Sequence, residues 1–130
     1  MNRSAEDYIK TIYILKKRTD CIHSVDVARE LGFSKASVSL AMSNLRKKYI
    51  IIMKKDGEIE FTPAGKRIAE EIYDRYVMLS SFLQDVAGVD ETTAKEDAWK
   101  IGYYISDLTY EGIKQFHKKI ADQSHSCISE

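Results

Sequence analysis

Residues 25 to 66 contain an abrupt change in the spacing of apolar residues, and this change constrains the fold more than any other feature of the chain. Before Tyr49 the apolar residues recur every three or four positions and are interrupted at Gly32, which predicts two short helices joined by a tight turn. After Tyr49 they alternate around the turn signal Asp56-Gly57, which predicts a β-hairpin. Two crossed helices followed by a hairpin are typical of a winged helix-turn-helix.

Most other segments have helical spacing, so the chain is predicted to be mainly α with one small β-hairpin wing. The first predicted elements are a helix over residues 5 to about 17 capped by Ser4, a helix capped by Ser24 that ends near Leu31, and a helix over Lys35–Lys48 capped by Ser34. Strands are predicted at Ile50–Met53 and around Ile59 and Phe61. A long helix is predicted from Pro63 to about Ala87-Gly88, and two final helices are predicted with Asp90 and Ser106 as their caps. We expect residues 1–73 to form an N-terminal winged helix-turn-helix DNA-binding domain and residues 74–130 a C-terminal helical dimerisation domain, linked by the long helix from about residue 63.

The distribution of charge along the chain indicates the kind of partner. The whole chain is neutral, with 20 basic and 20 acidic residues. Residues 1–66 hold 13 basic and 8 acidic residues, a net charge of +5, so residues 67–130 hold 7 basic and 12 acidic residues, a net charge of −5. A basic first half can approach phosphates while the acidic second half stays away from them, which favours nucleic-acid binding by the first half.

The third predicted helix carries the side chains expected of a DNA-contacting surface. Its expected inward stripe is Val38, Ala41, Met42 and Leu45. The residues expected to face outward are small or polar, and they are Lys35, Ala36, Ser37, Ser39, Ser43, Asn44 and Lys47, preceded by the cap Ser34. Hydroxyl and amide groups bond to base edges and phosphates, and Ala36 permits close approach to a thymine methyl group. Lys54 and Lys55, beside the hairpin turn, are expected to lie along a groove of the DNA.

A double-stranded DNA operator is therefore the expected partner of the first half. The alternative is a winged helix that binds protein, because serine-rich helix faces and lysines also occur on ordinary solvated surfaces. The helix spacing, the paired lysines of the hairpin and the charge split agree with one another, and together they favour DNA.

Composition and motifs exclude several other classes of protein. There is no apolar run of about eighteen residues and no secretory leader, so we expect no membrane partner and a cytoplasmic location. Cys21 and Cys127 are too few and too far apart for a disulfide framework. The chain lacks a nucleophile elbow, a phosphate-binding glycine loop and a paired His-Glu metal helix, so we expect no enzyme activity.

Four segments together resemble the diphtheria toxin repressor and manganese transport regulator family of metal-responsive repressors. They are the opening SAEDYIKTIYIL, the helix-turn-helix with its hairpin, the FTPAGKRIAEEIYDRY entry into the long helix, and FLQDVAGVDETTAKEDAWKIGYYIS. The resemblance covers nearly the whole chain, which has the length of the shorter, manganese-type members. It implies an operator-binding winged helix, a C-terminal region that forms a homodimer, and control by manganese or ferrous iron.

Most of the metal ligands of that family are replaced in this chain. The family uses a carboxylate pair in the first helix, a histidine on the long helix and a Glu-x-x-Glu-His segment on the next. Asp7 matches the first carboxylate. The other positions hold Lys10, Tyr76, Trp99, Gly102 and Tyr103. A lone carboxylate beside an ammonium group is a poor ligand set for a divalent ion, so we expect no metal at this site and no metal switch there.

Aromatic side chains take the place of those ligands. Tyr73, Tyr76, Trp99 and Tyr103 are expected to fill the site with ring surface, and Gly102 makes room for them. Two interpretations stay open, namely a permanently packed core and a pocket for an organic ligand of unknown identity. A packed core implies a regulator whose DNA-binding shape needs no metal.

Overall fold

The computed structural model describes the backbone of residues 2–129 and the side chains of residues 2–123. Within these residues the elements are α1 (Arg3–Arg18), α2 (Ser24–Leu31), α3 (Lys35–Lys47), β1 (Ile51–Met53), β2 (Ile59–Phe61), α4 (Pro63–Phe82), a π-helical turn (Leu83–Ala87), α5 (Glu91–Tyr104) and α6 (Asp107–Ser129). The predicted mainly-α fold with a hairpin wing is confirmed. The chain divides into two compact units, Met1–Tyr73 and Asp74–Glu130.

The first unit is built around one hydrophobic core that α1, α2, α3 and the hairpin share. Its largest fully buried side chains are Ile9, Ile12, Ile22, Val27, Val38, Met42, Ile51 and Ile59. Apart from Ile22, which lies between α1 and α2, these residues belong to the helical and alternating patterns of the sequence, and they lie on the faces that those patterns predict to be buried. The tight turn between α2 and α3 is made by Gly32, whose φ of 69° is the left-handed conformation that a helix end commonly requires.

Two predicted helix caps are wrong. The backbone N–H of Ala5 donates to the side-chain oxygen of Asn2 (2.8 Å), so α1 begins two residues earlier than a Ser4 cap would allow. Ser24 is the first residue of α2, which His23 precedes as the cap, and the Asp26 carboxylate accepts a hydrogen bond from the His23 backbone N–H (2.8 Å). Both errors have one cause, since several polar residues beside a helix start can cap it and local sequence does not choose between them.

The hairpin is short and is tied to the rest of the first unit by its second strand. β1 and β2 pair antiparallel with Ile51 opposite Phe61 and Met53 opposite Ile59. The left-handed φ of 87° at Gly57 allows the turn between them. On the side away from β1, the backbone N–H of Ile59 donates to the Ile22 carbonyl (2.9 Å), so the wing is held to the segment that precedes α2.

The start of α4 is locked to the end of α3 through Thr62 and Gly65. The Thr62 hydroxyl donates to the Tyr49 carbonyl (2.7 Å) and accepts from the Gly65 backbone N–H (2.9 Å), so one side chain both caps α4 and fixes the turn before β1. Gly65 is buried, and a Cβ at that position would overlap the carbonyl of Ile50. Only glycine permits this close approach of two backbones.

In the second unit, α5 packs on the C-terminal part of α4 through a stripe of small residues. Ala94 and Ala98 are fully buried, and a Cβ at Gly102, four residues further on, would meet the Leu79 side chain at 3.2 Å. Arg75 joins α4 to the start of α6, because its guanidinium donates to the Asp107 carboxylate (2.8 Å) and to the Ile105 carbonyl (2.6 Å).

Among the described residues, no helix combines the length and the apolar character needed to cross a bilayer. The thiol of Cys21 is free and exposed. Cys127 lies outside the residues whose side chains are described.

We predict that Gly65→Ala lowers the free energy of unfolding by about 2–3 kcal/mol, because the added methyl group forces α4 away from the Ile50 carbonyl. Urea unfolding followed by circular dichroism measures the change. Gly112→Ala is the matched control, since a Cβ there meets no atom within 4 Å and alanine favours an exposed helix by up to about 1 kcal/mol. Equal stability of the two variants would show that the contact at Gly65 does not constrain α4.

Candidate nucleic-acid interface

α3 is anchored to the core on one side and exposed on the other. Val38, Met42 and Leu45 are 0%, 1% and 2% exposed, and they form the buried stripe. Ser34 begins the helix as its N-cap, and its hydroxyl oxygen accepts a hydrogen bond from the Ser37 backbone N–H (3.1 Å). α3 is therefore a short rigid rod whose rear is fixed by packing and whose front is available to a partner.

The residues proposed from sequence for DNA contact lie mostly at the surface. Those that are exposed are Ser34, Lys35, Ala36, Ser37, Ser39, Asn44, Lys47, Lys54 and Lys55. Ser43 is half-buried, as is Ala41, which was expected on the inward stripe. The same surface contains Leu40, which is 66% exposed and was not among the proposed residues. Its position was available from the sequence, because it lies two residues from Val38 and two from Met42 and so cannot share their face.

The two lysines beside the hairpin turn have different surroundings. The Lys54 ammonium lies 3.4 Å from the Glu58 carboxylate and 3.7 Å from that of Glu60. Attraction to Glu58 raises the pKa of Lys54. Lys55 is exposed and makes no ion pair with any residue that the structure describes. Of the two, Lys55 therefore offers the less compensated positive charge to a phosphate.

A charged network fixes the base of the hairpin to α1. The Lys16 ammonium lies 3.1 Å from the Glu60 carboxylate and donates a hydrogen bond to the Ile59 carbonyl (2.9 Å). The hydrogen bond from Lys16 lowers the pKa of Glu60 below the ordinary value of 4.5, and the nearby charges of Lys16 and Lys54 act in the same direction. On the turn side, the His23 ring lies 3.8 Å from the Asp56 carboxylate. The wing is thus held at both ends by polar contacts with the helical part of its own unit.

The positions that the resemblance matches to family metal ligands lie in both units. In the first unit, burial lowers the pKa of Lys10, and the neighbouring charge of Asp7 partly opposes that effect. In the second unit, the rings of Tyr76 and Trp99 meet edge to face with centroids 6.0 Å apart. Tyr103 pairs with Tyr104 on its own helix at 5.0 Å.

Tyr73 contacts an aromatic ring and a cation of the first unit. Its ring lies 5.1 Å from that of Tyr13, and the Lys17 ammonium stands over both rings at 4.4 and 4.9 Å from their centroids. Of the four aromatic residues singled out in the sequence, Tyr76 and Trp99 contact each other, Tyr73 contacts Tyr13, and Tyr103 contacts Tyr104.

The chemistry of the family positions does not suit a divalent ion. One carboxylate, one ammonium group, two phenols, an indole and a glycine replace a set of carboxylates and imidazoles, and hard or borderline cations need several such ligands to replace their water. In the part of the chain that the structure describes, no three His, Cys, Asp or Glu side chains come together as a group that could hold a metal ion.

Two family models match consecutive parts of the chain. Residues 1–59 match the N-terminal DNA-binding domain of iron-dependent repressors, and residues 62–127 match the metal-binding and dimerisation domain of the same repressors. The first match ends at Ile59, the first residue of β2, and the second begins at Thr62, one residue before α4. The first model therefore covers the helix-turn-helix and most of its wing, and the second covers the long helix and the helices after it.

Known proteins of similar sequence are transcriptional regulators. The chain is 29% identical over 124 residues to the uncharacterized HTH-type transcriptional regulator MJ0568 of Methanocaldococcus jannaschii, with 95% of this chain and 99% of that protein covered. It is 32% identical over 103 residues to the HTH-type transcriptional regulator MntR of Bacillus pumilus, with 79% of this chain and 71% of that protein covered.

The fold is shared with solved structures of longer regulators. The manganese-activated repressor ScaR, in its apo form, superposes with a TM-score of 0.73 at 24% identity over 85% of this chain and 52% of ScaR. The manganese regulator SloR superposes with a TM-score of 0.77 at 24% identity over 88% of this chain and 53% of SloR. The chain therefore spans about half the length of these two regulators.

These matches establish that the chain belongs to the diphtheria toxin repressor and manganese transport regulator family of iron- and manganese-dependent repressors. Members of this family are DNA-binding transcriptional regulators and not enzymes. The resemblance seen in the sequence is confirmed.

We predict that the ion pair between Glu60 and Lys16 stabilises the fold only above acidic pH. The pKa of Glu60 is lowered in the folded state, so its contribution is complete above the unfolded value near 4.5 and is lost as the pH falls through the lower folded value. Glu60→Gln should therefore be less stable than wild type at pH 7, and the gap should close as the pH falls below 4.5 and through the lower folded-state pKa.

Urea unfolding of both proteins between pH 7 and pH 3 measures that gap. Glu71→Gln controls for the general loss of one negative charge, because Glu71 is an exposed carboxylate on α4 that has no ion pair among the described residues. A gap between Glu60→Gln and wild type that is unchanged across the pH range would contradict the assigned role of the carboxylate.

Proposed function

We propose that this chain is a homodimeric, cytoplasmic repressor that binds a double-stranded DNA operator through α3 and the wing, and that it does so without a divalent ion at the family's metal site. The single observation that carries the proposal is the exposed front of α3, which holds small and polar side chains around Leu40, while the rear of the helix is buried. The family to which the chain belongs makes operator binding the expected use of that face.

The electrostatics of the first half support a DNA partner. Its net charge of +5 attracts a polyanion, and lysines lie along the exposed surface of α3 and at the hairpin turn. In this proposal Lys35, Lys47 and Lys55 contact phosphates and hold the register, while Ser37, Ser43 and Asn44 reach base edges. An ion-paired Lys54 would add to binding only if the phosphate replaces Glu58 as its partner.

Exposed apolar side chains in the second unit support a dimer. Those of Tyr104, Leu108 and Phe116 are 71%, 85% and 52% exposed, and Val77 and Val86 are also exposed. The corresponding family domain is a dimerisation domain. A two-fold dimer presents two copies of α3, so we expect an operator with approximate two-fold sequence symmetry.

The donor chemistry at the family metal positions supports independence from metal. In the second unit, Tyr76 and Trp99 pack against each other where the resemblance implies ligands, and ring contact of this kind stabilises the helix pair without an ion. Gly102 lies against Leu79 and gives α5 its close approach to α4. We propose that this packing holds α4 and α5 in the DNA-binding arrangement without metal, whereas metal-responsive relatives need the bound ion for it.

We predict that Lys55→Ala weakens duplex binding and lowers its salt dependence. Loss of one phosphate contact from each protomer of a dimer should reduce the slope of log K against log salt by about two. Fluorescence anisotropy with a labelled duplex selected from a random pool gives the slope. The titrations are run at salt concentrations from about 50 to about 300 mM. Lys95→Ala is the matched control, since it removes an exposed lysine from the acidic half.

The control variant should keep the wild-type slope. No binding of wild type to any duplex at low salt would reject the DNA-binding proposal and favour the protein-binding alternative.

We predict that operator affinity does not change when metal is removed or added. The same anisotropy assay is run after treatment with a chelator and then with manganese, ferrous iron or zinc restored, and we expect dissociation constants that agree within about twofold. The manganese-activated repressor ScaR, assayed on its own DNA, serves as the control for the chelator. Restoration of binding to this chain by any of the three ions would contradict metal independence.

A further inference from the structure

Leu40 occupies the centre of the exposed face of α3. A helix turns by about 100° per residue, so a residue two positions from both Val38 and Met42 lies about 160° away from each of them. The exposed fractions in the structure agree with this angle, because Val38 and Met42 are at most 1% exposed while Leu40 is 66% exposed. Leu40 therefore points almost directly away from the core that holds the helix.

The side chains around Leu40 are shorter or polar. Ala36 lies one turn before it, and Ser43 and Asn44 lie one turn after it on the same face. Phe33, which is 49% exposed, forms with Leu40, Ser37 and Asn44 part of the lining of an open groove of about 600 Å³ beside the helix. Leu40 is thus the large exposed apolar side chain of α3 itself, and Phe33, just before the helix, adds a second apolar group beside it.

We infer that Leu40 determines sequence specificity by packing against the methyl group of a thymine in the major groove. This inference rests on the proposed function, because it requires α3 to enter the groove. In the major groove the edges of the base pairs present hydrogen-bond donors and acceptors. The apolar group on these edges is the methyl group of thymine. A leucine pressed against any other base edge would bury donors or acceptors without a partner, which disfavours those bases.

Asn44 adds a second base to the DNA sequence that this face is expected to recognise. It lies four residues after Leu40, which places the two side chains about 6 Å apart along the helix axis and on one face. An asparagine amide can bond to both N6 and N7 of adenine. Because neighbouring base pairs are about 3.4 Å apart, the two residues would read A·T pairs within a span of about two base steps.

The surrounding charge favours DNA over a protein as the partner of this face. Lys47 is exposed and lies two turns after Leu40 on the same face of α3, and Lys35 is exposed at the start of the helix. A cation on the same face as an apolar centre suits a base edge beside a phosphate backbone. Selection of a duplex from a random-sequence pool distinguishes DNA binding by this face from binding of a protein partner.

The test replaces thymine by uracil, which removes only the methyl group. The full-length chain selects a duplex from a random-sequence pool at low salt, and the selected duplex is resynthesised with deoxyuridine at one thymidine position at a time. Wild type should bind about fourfold more weakly when the contacted thymine loses its methyl group. Leu40→Ala should bind the thymine and uracil forms equally, whereas Leu40→Met should keep the preference.

The controls separate this contact from general effects. Val25→Ala truncates an aliphatic side chain on α2 that is 43% exposed, and it should keep the thymine preference. Equal binding of wild type to every uracil form, or an unchanged thymine preference in Leu40→Ala, would overturn the role of Leu40 while leaving the proposed function intact. Failure of wild type to enrich any duplex would overturn both, and would assign Leu40 to a protein-binding face.

Discussion

Burial of one side of α3 is the interaction on which the rest of the first unit depends. Val38, Met42 and Leu45 are almost fully removed from solvent, and each such side chain contributes on the order of 1.5–3 kcal/mol when it is buried. The short helix would have little stability alone, so this packing both forms it and sets its rotation about its own axis. That rotation decides which residues a partner can reach, including Leu40 at the centre of the exposed face.

The wing is positioned by charge as well as by strand pairing. Its strands are three residues long, and so short a hairpin is only marginally stable by itself. Lys16 reaches from α1 to the Glu60 carboxylate and the Ile59 carbonyl, and the Ile59 backbone N–H bonds to the Ile22 carbonyl. These contacts place the turn, with Lys55 exposed on it, at a fixed distance from α3. A basic residue at a fixed distance can select a phosphate at a fixed register along the duplex.

In the second unit, small residues and an aromatic pair pack α5 against α4. Ala94, Ala98 and Gly102 bring α5 close to α4, and the edge-to-face contact of Tyr76 with Trp99 adds ring surface beside that stripe. A metal ion joins helices by a few strong directional bonds, whereas aromatic packing joins them by many weak ones and needs no cofactor. In the proposed function, aromatic packing in place of a metal site gives a regulator whose DNA-binding shape does not depend on an ion.

The sequence by itself determined the order and type of the elements and the family, because both depend on local periods and short motifs. The change of period at Tyr49, the turn at Asp56-Gly57 and the Thr62-Pro63 helix start are local signals that no distant contact overrides. Only the three-dimensional structure decided which polar residue caps a helix, since Asn2 and not Ser4 caps α1.

Contacts between residues far apart in the chain were likewise decided only by the tertiary structure. The pairing of Lys16 with Glu60 joins residues 44 positions apart, and the contact of Tyr76 with Trp99 joins two different helices. Periodicity shows that a side chain faces inward or outward, but not which group meets it there. The physical reason is that secondary structure follows from interactions along the chain, while electrostatic and aromatic partners are chosen when the elements pack.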